Sequence, residues 1–213
     1  MRAQVGSLAQ EGDWRRMMRE QGAHRSPKRA DVANGDRALT VEEFSLLFES
    51  CESSAFRFEA QSFYRSNVET VALAQFLNGE QVDLEWLQEW LSVVRGLTRG
   101  GRVMQRVRII GDPPSSYLRF SLFITPHLIA AGDDIRYLSE VRADSLGIEL
   151  QDFWLFDNKR VAAFSFDRSG DLEGITLIQD EMRVEKYIKL RSILMDNSLT
   201  FKEYRANHLP QLG

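Results

Sequence analysis

The chain has 213 residues, 43% of them hydrophobic and 27% charged, with a net charge of −4. Its length fits one domain, or one with an appendage, and thirteen Phe, five Tyr and four Trp supply material for a core. These figures exclude wholesale disorder and collagen-like or low-complexity chains, and the negative total argues against a global basic field for nucleic acid. The single cysteine, Cys51, excludes an internal disulfide framework. A reducing cytoplasm is therefore the expected location. No run of about 18 apolar residues is present to span a membrane, and the first thirty residues lack the apolar core of a signal peptide.

Residues 1–39 read as a flexible basic tail. Residues 1–40 carry eight Arg and Lys against five Asp and Glu, with few apolar positions and several Gly, Ser and Pro breaks. A basic arm for nucleic acid or an acidic partner is the alternative. A single α/β domain is expected over 40–213. Thr40-Val-Glu-Glu43 forms a capping box, and Phe44, Leu47 and Phe48 then share a helical face. Phe56 and Phe58 alternate with Arg57 and Glu59 in a strand. Ser66-Asn-Val-Glu69 predicts a second capping box, with Asn78-Gly79 closing that helix. Asp83 opens a third helix whose stripe includes Trp86, Leu87, Trp90, Leu91 and Val94. Two Trp residues at this spacing read as core.

Val103 to Ile110 predicts a strand, followed by a turn at Gly111-Asp-Pro-Pro114 and a helix capped by Ser115 or Ser116. Pro126 should kink or split that helix. Ile135 to Leu138 is a short strand, and the strand–helix–strand order predicts a parallel pair. Phe153–Phe156, Val161–Phe166 and Gly174–Ile178 then read as an antiparallel meander. Asp180 caps a long helix and Thr200 a short terminal one. The fold class is α/β, with a helical N-terminal part packed on a mixed sheet.

The sequence holds no G-x-G-x-x-G, Walker-type, G-x-S-x-G or H-E-x-x-H motif. The three His and one Cys have no zinc-ligand spacing, so no metal and no cofactor are expected. Cys51 reads as an inert thiol and Asp133-Asp134 as turn carboxylates. The candidate ligand site is an arginine cluster. Arg102, Arg106 and Arg108 should share the outward face of one strand, Arg119 lies in the next helix, and Arg136 lies on the following strand. Their convergence near Tyr117 would make an anion pocket. Solvated ion pairs are the plainer reading of the same arginines. Asp152-Phe-Trp-Leu-Phe-Asp157 is apolar on both faces, hence buried on both. Asp152, Trp154 and Asp157 join the candidate set, with Asp157 opening a tight turn through its own Asx geometry.

Five phrases carry a family resemblance. They are Ser54-Ala-Phe-Arg57-Phe-Glu59, Gly101-Arg-Val-Met-Gln-Arg-Val-Arg108, Ser116-Tyr-Leu-Arg-Phe120, Gly132-Asp-Asp-Ile-Arg136 and Asp152-Phe-Trp-Leu-Phe-Asp157. With Glu203-Tyr204 they resemble a family of small actinobacterial proteins of unknown function, over about residues 40–205. That resemblance implies a helix-turn-helix regulator as a partner. The C-terminal half is also similar to a degenerate phospholipase D half-domain, whose enzymes carry H-x-K-x-x-x-x-D. If Asp157 takes the Asp place, Leu150 stands at the nucleophilic His and Asp152 at the phosphate-binding Lys. The resemblance thus implies the scaffold without that chemistry.

The expected function is a non-catalytic module binding a small anionic ligand or nucleic acid, or a regulatory partner. Two alternatives stand beside it. One is a group-transfer or hydrolytic enzyme for a phosphorylated or RNA-linked substrate, with Tyr117, Asp152 or Asp157 as acid or base. The other is a pure interaction protein for a DNA-binding regulator.

Overall fold

The computed structural model describes residues 35–66 and 69–208. One eight-stranded mixed sheet organises them, with strand order β1-β7-β6-β5-β2-β3-β4-β8. The strands are β1 (Arg37–Leu39), β2 (Ser54–Glu59), β3 (Val103–Ile110), β4 (Asp133–Ser139), β5 (Phe153–Phe156), β6 (Arg160–Phe166), β7 (Leu172–Ile178) and β8 (Leu199–Thr200). Strands β2, β3 and β4 run parallel, and β5, β6 and β7 form the antiparallel meander. The helices are α1 (Val41–Glu49), α2 (Thr70–Asn78), α3 (Gln88–Arg99), α4 (Ser116–Ala131), α5 (Glu140–Ser145), α6 (Glu181–Asn197) and α7 (Phe201–His208).

Both faces of the sheet are covered. Helices α1 to α4 bury Phe44, Phe48, Trp90, Val94, Leu118 and Phe120 against one face. On the other, Ala143 of α5 and Val184 and Leu194 of α6 pack on Phe56, Phe58, Val107 and Leu155. This double covering explains why β5 is apolar on both faces. It also buries every residue of β2, including the charged ones.

The caps follow the sequence at Thr40, Gly79, Ser115, Asp180 and Thr200. Thr40 Oγ1 accepts from the Glu43 N–H at 3.1 Å, and the Glu43 carboxylate accepts from the Thr40 N–H. Asp180 accepts from the Arg183 N–H, and Thr200 pairs reciprocally with Glu203. The Ser66–Glu69 box does not form as expected. Helix α2 starts at Thr70 with Glu69 as its N-cap, without a side-chain cap bond; residues 67–68 lie outside the described residues. Helix α4 runs through Pro126 without splitting. At its end Gly132 has φ 110°, and a Cβ there would meet Thr98 within 2.8 Å. Glycine therefore lets the Thr98 hydroxyl reach the Ala131 carbonyl at 3.0 Å, which ties α3 to α4.

The last residues of the segment read as a tail join the sheet. Residues 1–34 lie outside the described residues, but Arg37–Leu39 form an edge strand on β7, and Asp36 pairs with Arg183. The segment between β4 and β5 contains α5. No described helix is long and apolar enough to cross a membrane.

Candidate functional site

The site grows from the register of the parallel strands. Arg57 of β2 lies opposite Arg106 of β3, and Glu59 lies opposite Arg108. Period-two alternation sends all four to the face under α1–α4, while Phe56, Phe58, Val107 and Ile109 fill the other. Asp133 at the start of β4 and Asp152 just before β5 join them. All six are at least nine-tenths buried.

The buried charges are arranged as bonded pairs. Glu59 accepts from Arg106 Nη1 at 2.6 Å through one oxygen and from Arg108 through the other. Asp133 Oδ2 accepts from Arg106 Nε and Nη2. Asp152 Oδ2 accepts from Arg57 Nη2 at 2.6 Å and from the Tyr64 hydroxyl at 2.6 Å, while Oδ1 takes the Ala60 N–H. Arg57 also stacks over Phe164 and Trp154. Three guanidinium groups thus face three carboxylates, as buried charge requires.

Burial and charge set the proton affinities. Burial pushes Glu59 upward, but Arg106, Arg108 and Arg57 outweigh it and hold the carboxyl at about 2. For Asp133 and Asp152 burial wins over the arginine beside each, and both are raised. Glu69, half-buried at the start of α2, accepts from the Tyr117 hydroxyl at 3.2 Å. Burial there, only partly offset by Tyr117 and Arg108, pushes it to about 7. Burial also raises Tyr117 and Tyr64 well above the usual phenol range.

These groups form one side of a cavity of about 120 Å³. Arg57, Glu59, Arg106 and Arg108 supply its charged floor, and Tyr64, Glu69 and Tyr117 a polar side. Trp86, Trp90, Phe120, Ile124, Trp154 and Phe164 are among its apolar walls. Four of its lining residues carry a buried polar atom that has no hydrogen-bond partner among the described residues. The atoms are Arg57 Nη1, Arg108 Nη1, Trp86 Nε1 and Ser121 Oγ.

Of the expected site residues, Arg106, Arg108, Tyr117 and Trp154 line this cavity, with Asp152 directly behind it. The arginine face of β3 is buried, contrary to expectation, because the helices cover that side of the sheet. Arg102 instead bonds the Cys51, Gly96 and Leu97 carbonyls. Arg119 is exposed and bonds Ser116. Arg136 alternates onto the opposite face of β4, where it pairs with Asp134 and reaches the Met195 carbonyl. Neither joins the convergence near Tyr117. Asp133 is a buried partner of Arg106 and not a turn carboxylate.

Asp157 bonds well beyond its own turn. Its Oδ1 accepts the N–H groups of Glu52, Ser53 and Ser54 and the Ser53 hydroxyl, while Oδ2 pairs with Arg160. Burial opposes ionisation, yet those donors hold it at about 2. It is a clasp between the β5–β6 turn and the entry to β2, away from the cavity lining. Cys51 lies beside it, its thiol pushed up to about 11 by burial and by the Asp157 charge. Leu150 is 43% exposed and does not line the cavity.

Arg57, Glu59, Tyr64 and Glu69 are functional candidates that the sequence reading passed over. The signal was the Phe-Arg-Phe-Glu alternation of β2, which places two charges on one face of a central strand.

The family match spans residues 42–206 and is described as Domain of unknown function (DUF6879). The chain belongs to that family. A comparison with curated proteins finds no match. Among solved structures, the chain is similar to NucT from Helicobacter pylori at 12% identity and TM-score 0.50, over 78% of this chain and 97% of that one. It is also similar to Nuc, a phospholipase D family member from Salmonella typhimurium, at 11% identity and TM-score 0.47, over 74% and 90%. Phosphatidylserine synthase from Haemophilus influenzae Rd KW20 matches at 11% identity and TM-score 0.46, over 92% of this chain and 48% of that one. At these identities the likeness concerns the fold alone.

Proposed function

We propose that this domain is a non-catalytic module that binds a small anion in the arginine-floored cavity and serves a regulatory partner by holding or releasing it. The observation that supports this reading is the pair of Nη1 groups on Arg57 and Arg108. Each belongs to a buried guanidinium fixed by a carboxylate, and neither has a partner among the described residues. A buried donor left without an acceptor is costly, and an anion's oxygens would satisfy both. Asp152 also fits a binding role better than phosphoryl chemistry, because its carboxylate is committed to Arg57, Tyr64 and the Ala60 N–H.

The test is thermal shift and calorimetry with a panel of small carboxylates, phosphate and sulfate. A saturable anion should bind the wild type and lose affinity in Arg57→Gln and Arg108→Gln. It should bind unchanged in Arg119→Ala and Arg136→Ala. Binding insensitive to Arg57 and Arg108 would overturn the reading.

A second reading, a group-transfer enzyme, is favoured by Glu69. A carboxyl near 7 bonded to a tyrosine at a cavity wall is suited to proton transfer. Turnover of a phosphodiester substrate that disappears in Glu69→Gln, with folding intact, would support it over the binding module.

A further inference from the structure

We infer that the cavity's ligand is a small monocarboxylate with a flat apolar body, its carboxylate on Arg57 and Arg108 and its body against Trp86, Trp90 and Phe120. The inference rests on the anion-site reading above and narrows it to one chemical class.

Size makes the first cut. The cavity measures about 120 Å³, while a cavity of about 150 Å³ takes one benzene ring and sites enclosing drug-sized ligands span about 300–1,000 Å³. One ring, or an aliphatic group of similar bulk, fills the enclosed space. A nucleotide would have to extend out of it.

Charge makes the second. Arg57, Arg106 and Arg108 already face Glu59, Asp133 and Asp152. One added negative charge would face the guanidinium groups of Arg57 and Arg108 on the lining, each of which keeps one Nη1 without an acceptor among the described residues. A second would stand against the ionised Glu59, because the remaining cation on the lining, Arg65, is exposed and paired with Asp171. That favours a carboxylate over a dianionic phosphate, and protonation of Glu69 near neutral pH eases entry of the single charge.

The walls make the third. Trp86, Trp90, Phe120 and Ile124 are apolar lining residues, and a bare hydrated anion would leave them uncovered. A flat apolar body covers them and gains from the area removed from water.

The test is calorimetry on the full chain near pH 6.5 with benzoate, benzamide, benzylamine, acetate and inorganic phosphate. Benzoate should bind at one site, about tenfold or more tighter than each of the others, because it alone joins a charge-assisted pair to apolar burial. In Ser121→Leu, which fills the apolar end and leaves the arginines in place, benzoate should weaken about tenfold while the urea midpoint holds. If that variant does not fold, the wild-type series decides. Acetate or phosphate binding as tightly as benzoate overturns the ligand class and leaves the anion site standing. No binding of any probe, or a preference for benzamide or benzylamine, overturns both.

Discussion

Glu59 on β2 lies opposite Arg108 on β3 in the parallel register, and its two carboxylate oxygens divide between Arg108 and Arg106. A single carboxylate therefore fixes two guanidinium groups on a face where water has little access. Glu59→Gln keeps the shape and removes the charge. Breaking a buried pair from one side costs about 3–5 kcal/mol, and a loss at the lower end of that range is expected from urea unfolding. Adding Arg108→Met should restore part of it, because one uncompensated cation is removed. A double-mutant cycle with additive losses would show that the two residues are not coupled.

Asp157→Ala tests the clasp between the β5–β6 turn and the entry to β2. The substitution leaves the N–H groups of Glu52, Ser53 and Ser54 without the oxygen that collects them. Losses of about 1–3 kcal/mol per unsatisfied buried group, shared among donors that can partly reach water, predict a loss of about 3 kcal/mol overall. Binding at the cavity should be unchanged in whatever fraction stays folded. A binding defect at full stability would bring Asp157 back into the site.

The contrast between these residues shows how far the sequence could be read. Alternation located β2, β3 and the meander, because periodic apolar positions report which faces are covered. It also marked Arg106 and Arg108 as sharing a face. It could not say that this face is interior. That depends on helices α1 to α4 closing over it, which the alternation of one strand does not report. For the same reason Arg136, one residue out of phase with Ile135 and Tyr137, falls on the opposite side. Asp157 was read through its own turn, where it does sit with φ 57° beside Asn158 at φ 55°. Its partners, about a hundred residues earlier in the chain, have no local signature. Glu69 was masked by a cap pattern that fits the sequence, whereas in the fold it bonds Tyr117.

Asp152 is the buried counter-charge of Arg57. Asp152→Asn can still accept the Ala60 N–H through its one oxygen, but it removes the charge and sets an amide NH2 where Oδ2 accepts from Arg57 and Tyr64. A loss of about 2 kcal/mol is expected. Asp152→Lys sets a second cation against a buried guanidinium and should exceed about 4 kcal/mol, enough to unfold much of a marginal domain. Circular dichroism melts of the two variants check the ordering. A stable Asp152→Lys protein would mean that Arg57 has another counter-charge or a way out to water.

Glu69 predicts a fall in stability toward neutral pH. Its folded value is about 7 against an ordinary value of 4.5, so between those limits the native state keeps a proton that the unfolded chain releases. Stability contributed by this group is fully present below about 4.5 and is lost as pH rises through 7. The side chain is half-buried, and the expected change is on the order of 2 kcal/mol. Asp157 and Glu59 work in the opposite sense. Both sit near 2 when folded, so their contribution is present above their ordinary values of 3.8 and 4.5 and disappears as pH falls toward 2. Stability should therefore peak in the weakly acidic range. Glu69→Gln should flatten the decline from pH 5 to 7.5 and leave the acid side intact, as measured by urea midpoints across pH; what decline remains belongs to Asp133 and Asp152, whose buried carboxyls are raised in the same sense. A decline that the substitution leaves undiminished would assign it to another group, because Tyr117, Arg108, Glu59 and Arg106, the groups that act on Glu69, keep their charge throughout that range.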